Sequence, residues 1–99
     1  MKWRVETAAQ AELEEAAAWY ETQRTGLSAE FLDEFDKGIR LISEHPKAWK
    51  PVGRRVRQYR LNRFPYGIIY QLREDEIFVV AVAHLHRRPG YWRRRMPYR

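Results

Sequence analysis

Apolar positions in the first half of the chain recur with the spacing of one helical face. In residues 9–20 the stripe starts at Ala9, and its other members follow four, seven, eight and eleven residues later. Residues 32–42 form a second stripe of this kind. Thr7 and Gln10 have the spacing of a capping box at the start of the first run, and Ser28 can cap the second. Because only a few residues separate the two runs, the pattern predicts an antiparallel helical hairpin.

The pattern of the second half shortens to the period of two that strands show. Three strand-like runs occupy residues 54–61, 66–73 and 77–86. The last run is apolar on both faces, which indicates a central strand. Trp3 and Val5 alternate in a short first strand that can pair at a sheet edge, whereas two prolines and a glycine predict a loop over residues 46–53.

The order of these elements predicts an α+β fold. An N-terminal strand is followed by an antiparallel two-helix hairpin, which packs on a mainly antiparallel sheet of about four strands. A chain of 99 residues has room for one hydrophobic core. We therefore expect a single domain over residues 1–99, with a basic C-terminal segment over residues 87–99.

Basic residues are concentrated in the second half of the chain. Residues 1–50 carry seven Lys and Arg against ten Asp and Glu, whereas residues 51–99 carry twelve against three. All twelve of these cations are arginine, whose planar fork binds phosphate or carboxylate through two hydrogen bonds. This asymmetry predicts that the sheet face opposite the helices gathers arginines for a polyanionic partner. The alternative is a solvated surface with a basic tail.

The composition also excludes several kinds of site. With no cysteine, the chain has no disulfide, no thiolate metal site and no cysteine nucleophile, which fits a reducing cytoplasm. No apolar stretch is long enough for the core of a signal peptide or for a membrane helix, so we expect a cytoplasmic protein. The glycines are scattered, and the acidic residues Glu12, Glu14 and Glu15 resemble a solvated helix face. We expect neither a bound metal nor a cofactor.

Three motifs of this sequence resemble the ParE-like members of the RelE/ParE toxin superfamily. The first is Ile42-Ser43-Glu44-His45-Pro46 with Trp49 just after it, and the second is the Phe-Pro-Tyr-Gly-Ile-Ile-Tyr of residues 64–70. The third is the segment of residues 82–92 near the C-terminus. The resemblance covers nearly the whole chain and implies a cytoplasmic plasmid-stabilisation toxin of a type II toxin–antitoxin system. It also implies a cognate antitoxin whose C-terminal part wraps around the toxin in a hetero-oligomer.

Activity divides this family, since RelE-type members cleave messenger RNA on the ribosome and ParE-type members poison DNA gyrase. In the cleaving members the second strand supplies two lysines, the third begins with arginine, and an arginine and a tyrosine lie near the C-terminus. Aligned on Tyr70-Gln71, those places fall on Gln58, Arg60, Gly67, His86 and either Tyr91 or Trp92. Only Arg60, and Tyr91 under one of the two alignments, keep the expected chemistry. The resemblance therefore implies growth inhibition by binding, with DNA gyrase as the target.

Two alternatives stay open. One is a divergent, metal-independent mRNA endoribonuclease of RelE type, which needs proton transfer and a cation at the phosphate. Its catalytic candidates are His86, Arg60 and Tyr91. On a continued last strand, His84 and His86 are expected to share the face of Val82 and Phe78. The other alternative is a chain without toxicity, whose remaining role is a structural or regulatory complex with its antitoxin.

Candidate contact residues can be assigned for both kinds of partner. The target-binding candidates are Arg57, Arg60, Arg87, Arg88 and Trp92. The antitoxin-binding candidates are Trp19, Tyr20, Phe31 and Arg55. Trp19, Tyr20 and Phe31 are chosen because three large rings on a short hairpin are not all expected to reach one core. They would then leave a groove for an amphipathic segment of the antitoxin.

Overall fold

The computed structural model of the chain describes residues 2–96. Its elements are β1 (Lys2–Val5), α1 (Thr7–Gln23), α2 (Leu27–Glu44), β2 (Lys50–Gly53), β3 (Val56–Arg60), β4 (Tyr66–Leu72), β5 (Glu76–His84) and a short 3₁₀ helix (Arg93–Arg95). Both predicted helices form and pack against each other. Among the described residues, no helix is long and apolar enough to cross a membrane. The last three residues of the expected basic segment lie outside the described residues.

Within residues 2–96 the strands form a five-stranded sheet in the order β1-β5-β4-β3-β2. β1 lies parallel to β5, and the other neighbouring strands are antiparallel. This arrangement confirms the predicted α+β fold and the short edge strand around Trp3 and Val5. The predicted loop over residues 46–53 is wrong in its second half, where β2 pairs with β3. Pro51 has no N–H to donate, but an edge strand tolerates it.

The helix starts differ from the predicted capping pattern. Glu6, rather than Thr7, caps α1 by accepting a backbone N–H of the first turn at 2.7 Å. At the start of α2, the Glu21 carboxylate accepts the backbone N–H groups of Gly26 and Ser28, so Ser28 is not itself the cap. One side chain from the end of α1 thereby satisfies two amides that the first turn of α2 leaves free.

The sheet is buried on both faces. On the helix-side face, side chains of α1, α2 and the sheet form an apolar cluster in which Phe31 and Tyr70 are fully buried. The second face carries a separate cluster that includes Ile69, Val80 and the C-terminal Trp92. The predicted central position of the last strand is confirmed, since β5 lies between β1 and β4. The cover of the second face is the C-terminal segment.

A β-bulge in β5 changes which of its residues share a face. Consecutive residues of β4 pair with Ala81 and Val79, so Val80 is an extra residue in the ladder. One extra residue reverses the alternation of side chains along a strand. Val82 consequently packs on the helix-side face, whereas Phe78 packs on the second face.

The end of β5 also differs from the predicted strand. β5 stops at His84, and His86 lies in the turn that follows. The expectation that both histidines share one strand face with Val82 and Phe78 is therefore wrong. The bulge places Val82 and Phe78 on opposite faces, and His86 is no longer part of the strand.

Candidate functional site

A network around Glu12 of α1 holds the C-terminal segment against the domain. The Glu12 carboxylate accepts hydrogen bonds from the Tyr91 hydroxyl at 2.7 Å and from the Arg95 guanidinium at 2.8 and 3.0 Å. It also accepts the backbone N–H of Val82 at 3.0 Å. The expectation of a solvated acidic face is therefore wrong for Glu12, although Glu15 on the same helix is exposed.

This network closes an open edge of β5. β1 pairs with β5 only as far as Val79, and an unpaired strand edge leaves N–H and C=O groups that need partners. Beyond Val79, Glu12 accepts the N–H of Val82, and the Arg95 guanidinium donates to the carbonyl oxygen of Val80 at 3.2 Å. The Glu12–Arg95 ion pair thus takes the place of a neighbouring strand.

The charges of the network depend on one another. Burial disfavours ionisation of Glu12, but hydrogen bonds from Arg95, Tyr91 and Val82 outweigh burial and hold the pKa of Glu12 below its usual value. The hydrogen bond to Glu12 raises the pKa of Arg95. Burial raises the pKa of Tyr91, and its hydrogen bond to Glu12 raises it further. At neutral pH the carboxylate and guanidinium therefore stay charged, and the phenol stays protonated.

The three ribonuclease candidates are not joined to one another by contacts. The Tyr91 hydroxyl is held by Glu12, and its raised pKa makes it a weak acid. His86 is exposed in the turn after β5, where its backbone N–H donates to Nδ1 of His84 at 3.1 Å. Arg60 is exposed at the end of β3. No hydrogen bond or ring contact within residues 2–96 links His86 to Arg60 or to Tyr91.

The target-binding candidates are divided between the surface and the core. Arg60 and Arg88 are exposed. The Arg57 guanidinium donates to a backbone carbonyl oxygen at 2.7 Å, and that of Arg87 lies 3.9 Å from the centre of an aromatic ring. Trp92 is 4% exposed and packs in the cluster of the second face. Trp92 therefore supports the fold and offers little surface to a target.

The arginines are not spread over the whole sheet face opposite the helices, as expected; most of them form two groups at the two ends of the sheet. Near the start of β4 and the end of β5 lie Arg60, Arg63, Arg87 and Arg88. At the other end of β4, a groove of about 1140 Å³ is lined by Arg54, Arg55, Arg73, Arg93 and Arg94. We call this second feature the cationic groove.

The three aromatic antitoxin candidates do not form one exposed groove. Trp19 is 56% exposed, but Tyr20 is 9% and Phe31 is 0% exposed. Tyr20 packs against Phe31 and Phe64, with ring centres 5.1 and 4.9 Å apart. The expectation that the three rings do not all reach one core agrees with this burial, since Trp19 stays outside it. Tyr20 and Phe31 are core residues, because the segment before β4 brings Phe64 onto the hairpin. Arg55 lies in the β2–β3 turn, on the cationic groove.

The histidines at the end of β5 form a small ring cluster. The ring centres of His84 and His86 are 5.1 Å apart, and that of Tyr66 lies 5.2 Å from His84. In the part of the chain that the structure describes, no three His, Asp or Glu side chains are placed to hold a metal ion together. The cluster thus has two imidazoles and no third ligand of this kind.

Comparisons with known proteins agree with this fold. A family model described as "ParE toxin of type II toxin-antitoxin system, parDE" matches residues 4–89. Among solved structures, a chain of the chromosomal ParDE TA system from P. aeruginosa superposes with a TM-score of 0.74 at 14% sequence identity, covering 85% of this chain and 95% of that chain. No curated protein matches. The structural likeness shows the fold, and the family model shows the family: the chain belongs to the ParE toxins of type II toxin–antitoxin systems.

Proposed function

We propose that the chain inhibits growth by binding a macromolecular target, that this target is DNA gyrase, and that a cognate antitoxin neutralises the toxin. The observation that carries the proposal is the match of residues 4–89 to the ParE toxin family. The sequence supports the gyrase-poisoning type over the RNA-cleaving type. Three of the positions that align with the cleaving residues of RelE-type members are occupied here by Gln58, Gly67 and His86.

The geometry of the catalytic candidates favours binding over RNA cleavage. Attack by the 2′-hydroxyl of RNA needs a proton acceptor, a proton donor and a cation around one phosphate. The Tyr91 hydroxyl is bound to Glu12, and His86 has no contact with Arg60 among the described residues. A binding mechanism needs only an accessible surface, and exposed arginines are present at both ends of the sheet.

The direct test offers the purified chain to two machineries in parallel. DNA gyrase with relaxed plasmid reports supercoiling, and translating ribosomes with a defined messenger report cleavage. We expect supercoiling to stop while the messenger stays intact. Cut messenger with unaffected supercoiling would reject gyrase and favour the ribonuclease.

Expression without antitoxin tests the toxic role itself. Growth should stop when the chain alone is produced and resume when the antitoxin encoded with it is produced as well. His86→Ala should arrest growth as strongly as the unmodified chain, because a binding mechanism does not use the imidazole. Normal growth when the unmodified chain is produced alone would instead favour the structural or regulatory complex. Normal growth with His86→Ala only, at equal protein levels, would favour the ribonuclease.

For the antitoxin, we infer that Trp19 anchors an amphipathic segment on the helical hairpin. Large exposed aromatic side chains are enriched among the residues that dominate interface energetics. Trp19→Ala should therefore weaken antitoxin binding by roughly tenfold or more. Trp3→Ala, at an exposed tryptophan of β1, is the matched control and should bind as the unmodified chain does. Equal affinities of the two variants would remove Trp19 from the interface.

A further inference from the structure

Four of the five arginines of the cationic groove come from two separate stretches of the chain. The β2–β3 turn supplies Arg54 and Arg55, and the carbonyl oxygen of Arg55 accepts the N–H of Leu72, which fixes this turn beside the end of β4. The 3₁₀ helix supplies Arg93 and Arg94. These four arginines therefore line one depression together with Arg73, although the two stretches are far apart in the sequence.

Two anchored residues present Arg93 and Arg94 to the groove. Trp92 is buried in the cluster of the second face, and Arg95 is bound to Glu12. The backbone N–H of Arg95 donates to the carbonyl oxygen of Trp92 at 3.0 Å, which closes one 3₁₀ turn. Side chains three residues apart lie on the same side of such a turn. The two fixed residues thus leave Arg93 and Arg94 on the outer side.

Arg55 has a backbone conformation that arginine rarely adopts. Its φ is +60°, in the left-handed region that favours glycine. Strained residues of this kind cluster at functional sites, where the surrounding structure holds them. The chain keeps a long cation at this position, although glycine would fit the turn with less strain.

The positive charge of the groove is only partly compensated within the domain. Arg73 pairs with Glu76 at 3.1 Å, and the exposed Glu74 also lines the groove. No carboxylate within residues 2–96 forms an ion pair with Arg54, Arg55, Arg93 or Arg94. An anion that enters the groove therefore meets a positive field that the described residues do not cancel.

The chemistry of the lining favours the phosphate backbone of a duplex over other anions. Arginine forks hold phosphate oxygens through paired hydrogen bonds. Sites for single-stranded nucleic acid add exposed rings on which bases stack, whereas the aromatic residue of the groove, Trp92, is buried. An acidic peptide that added a strand to the β2 edge would meet Pro51, which has no N–H to donate.

We propose that the cationic groove binds the sugar–phosphate backbone of double-stranded DNA, with Arg54, Arg55, Arg93 and Arg94 in contact with phosphates. That the duplex is DNA rather than RNA rests on the proposed function, because the proposed target acts on DNA. Contacts of this kind position a protein on a duplex without reading its bases. They would hold the toxin on the DNA that its target processes.

The test measures fluorescence anisotropy of a labelled DNA duplex titrated with the chain, without gyrase, at several salt concentrations. A duplex of about 20 base pairs is longer than the 39 Å extent of the described residues. The variant Arg54→Ala/Arg93→Ala removes one guanidinium from each stretch. We expect about tenfold weaker binding at low salt, and a slope of log K against log salt that is shallower by about 2, since each phosphate contact releases about one counterion.

A matched control separates the groove from net charge. Lys37→Ala/Arg40→Ala removes the same charge from exposed positions of α2, and its slope should stay within about 0.5 of that of the unmodified chain. Circular dichroism checks that both variants are folded. Equal losses in the two variants would overturn the proposal. Tighter binding of polyglutamate, or of an RNA duplex of the same length, would overturn it in favour of an acidic protein or RNA.

Failure of this inference can be told apart from failure of the proposed function. Groove-dependent DNA binding together with undisturbed supercoiling would reject gyrase and keep the groove. Inhibition of supercoiling without groove-dependent DNA binding would keep gyrase and reject the groove. If both proposals hold, Arg54→Ala/Arg93→Ala should inhibit supercoiling only at severalfold higher concentration.

Discussion

The two faces of the sheet are covered in different ways. On the helix-side face, two helices lay apolar side chains against β3, β4 and β5, and Phe31 and Ile42 are fully buried there. On the second face, the C-terminal segment covers the sheet through Trp92, and the Glu12–Arg95 pair ties that segment to α1. The first cover is spread over many contacts, whereas the second depends on a few side chains.

This difference separates what folds the domain from what shapes its surface. Regions with few buried contacts open at lower free energy than the core does. Opening of the C-terminal segment would displace Arg93 and Arg94 while the helix-side cluster persists. Substitutions on the two faces should therefore have effects that differ in kind as well as in size.

The largest expected effect lies on the helix-side face. Phe31 packs against the rings of Tyr20, Phe64 and Tyr66. Phe31→Ala should lower the free energy of unfolding by about 3–5 kcal/mol in urea denaturation, because it leaves a cavity that the core cannot fill. Leu32→Ala, at the exposed neighbouring position, should cost less than about 1 kcal/mol. Equal costs would contradict the assignment of Phe31 to the core.

On the second face, Trp92→Ala should cost about 2 kcal/mol. Deleting a buried tryptophan side chain usually costs about 3–5 kcal/mol, but here the segment can detach while the helix-side cluster stays intact. Trypsin should then cleave faster at Arg93, Arg94 and Arg95, measured by limited proteolysis under native conditions. A cost equal to that of Phe31→Ala, with no change in cleavage, would mean that the two covers are equivalent.

The ion pair that anchors the second cover should contribute less than its tryptophan. Glu12→Gln keeps one acceptor oxygen but loses the charge, so we expect a cost of about 1–2 kcal/mol at neutral pH. The exposed Glu15 offers the matched control, and Glu15→Gln should stay within about 0.5 kcal/mol of the unmodified chain. A negligible cost for Glu12→Gln would show that apolar packing alone holds the segment.

The same pair gives a pH dependence with a definite sign. Because folding lowers the pKa of Glu12, its contribution is complete above the usual value of 4.5 and is lost as the pH falls below that value. The stability difference between the unmodified chain and Glu12→Gln should therefore shrink between about pH 5 and pH 3. Urea denaturation at each pH measures it, and a constant difference would exclude the charge as the cause.

The smallest expected effect on stability lies in the turn beside the second cover. Asparagine tolerates a left-handed φ better than arginine does, so Arg55→Asn should raise the free energy of unfolding slightly, by less than about 1 kcal/mol. The affinity of the Arg55→Asn variant for duplex DNA should nevertheless fall severalfold. A clear loss of stability would assign the Arg55 side chain to the fold rather than to the groove.

Most of the helix-side face could be predicted from the sequence, because it follows from the period of a helix. The buried positions of α1 are the predicted stripe itself: Ala9, Leu13, Ala16, Ala17 and Tyr20. β2 could not be predicted in this way, because its four residues include Pro51 and become a strand only by pairing with β3. Local patterns describe long elements well, whereas a strand such as β2 depends on the strand beside it.

The second face depends on residues that are far apart in the sequence. Glu12 and Arg95 lie 83 positions apart, and nothing local distinguishes Glu12 from the acidic residues around it. One available signal is its place beside the buried stripe, four residues before Ala16. The bulge at Val80 has no single-residue signature either, yet it decides which side chains of β5 face the helices. The sequence shows the arginines of the groove, but not that two distant turns meet.

The proposed mechanism is inhibition of growth by binding gyrase, without cutting RNA. It can be measured in a gyrase assay free of ribosomes, in which supercoiling is followed as the purified chain is titrated in. We expect supercoiling to decline in proportion to the chain added and antitoxin to restore it. Supercoiling at the full rate under a large excess of active chain, able to arrest growth in cells, would contradict it.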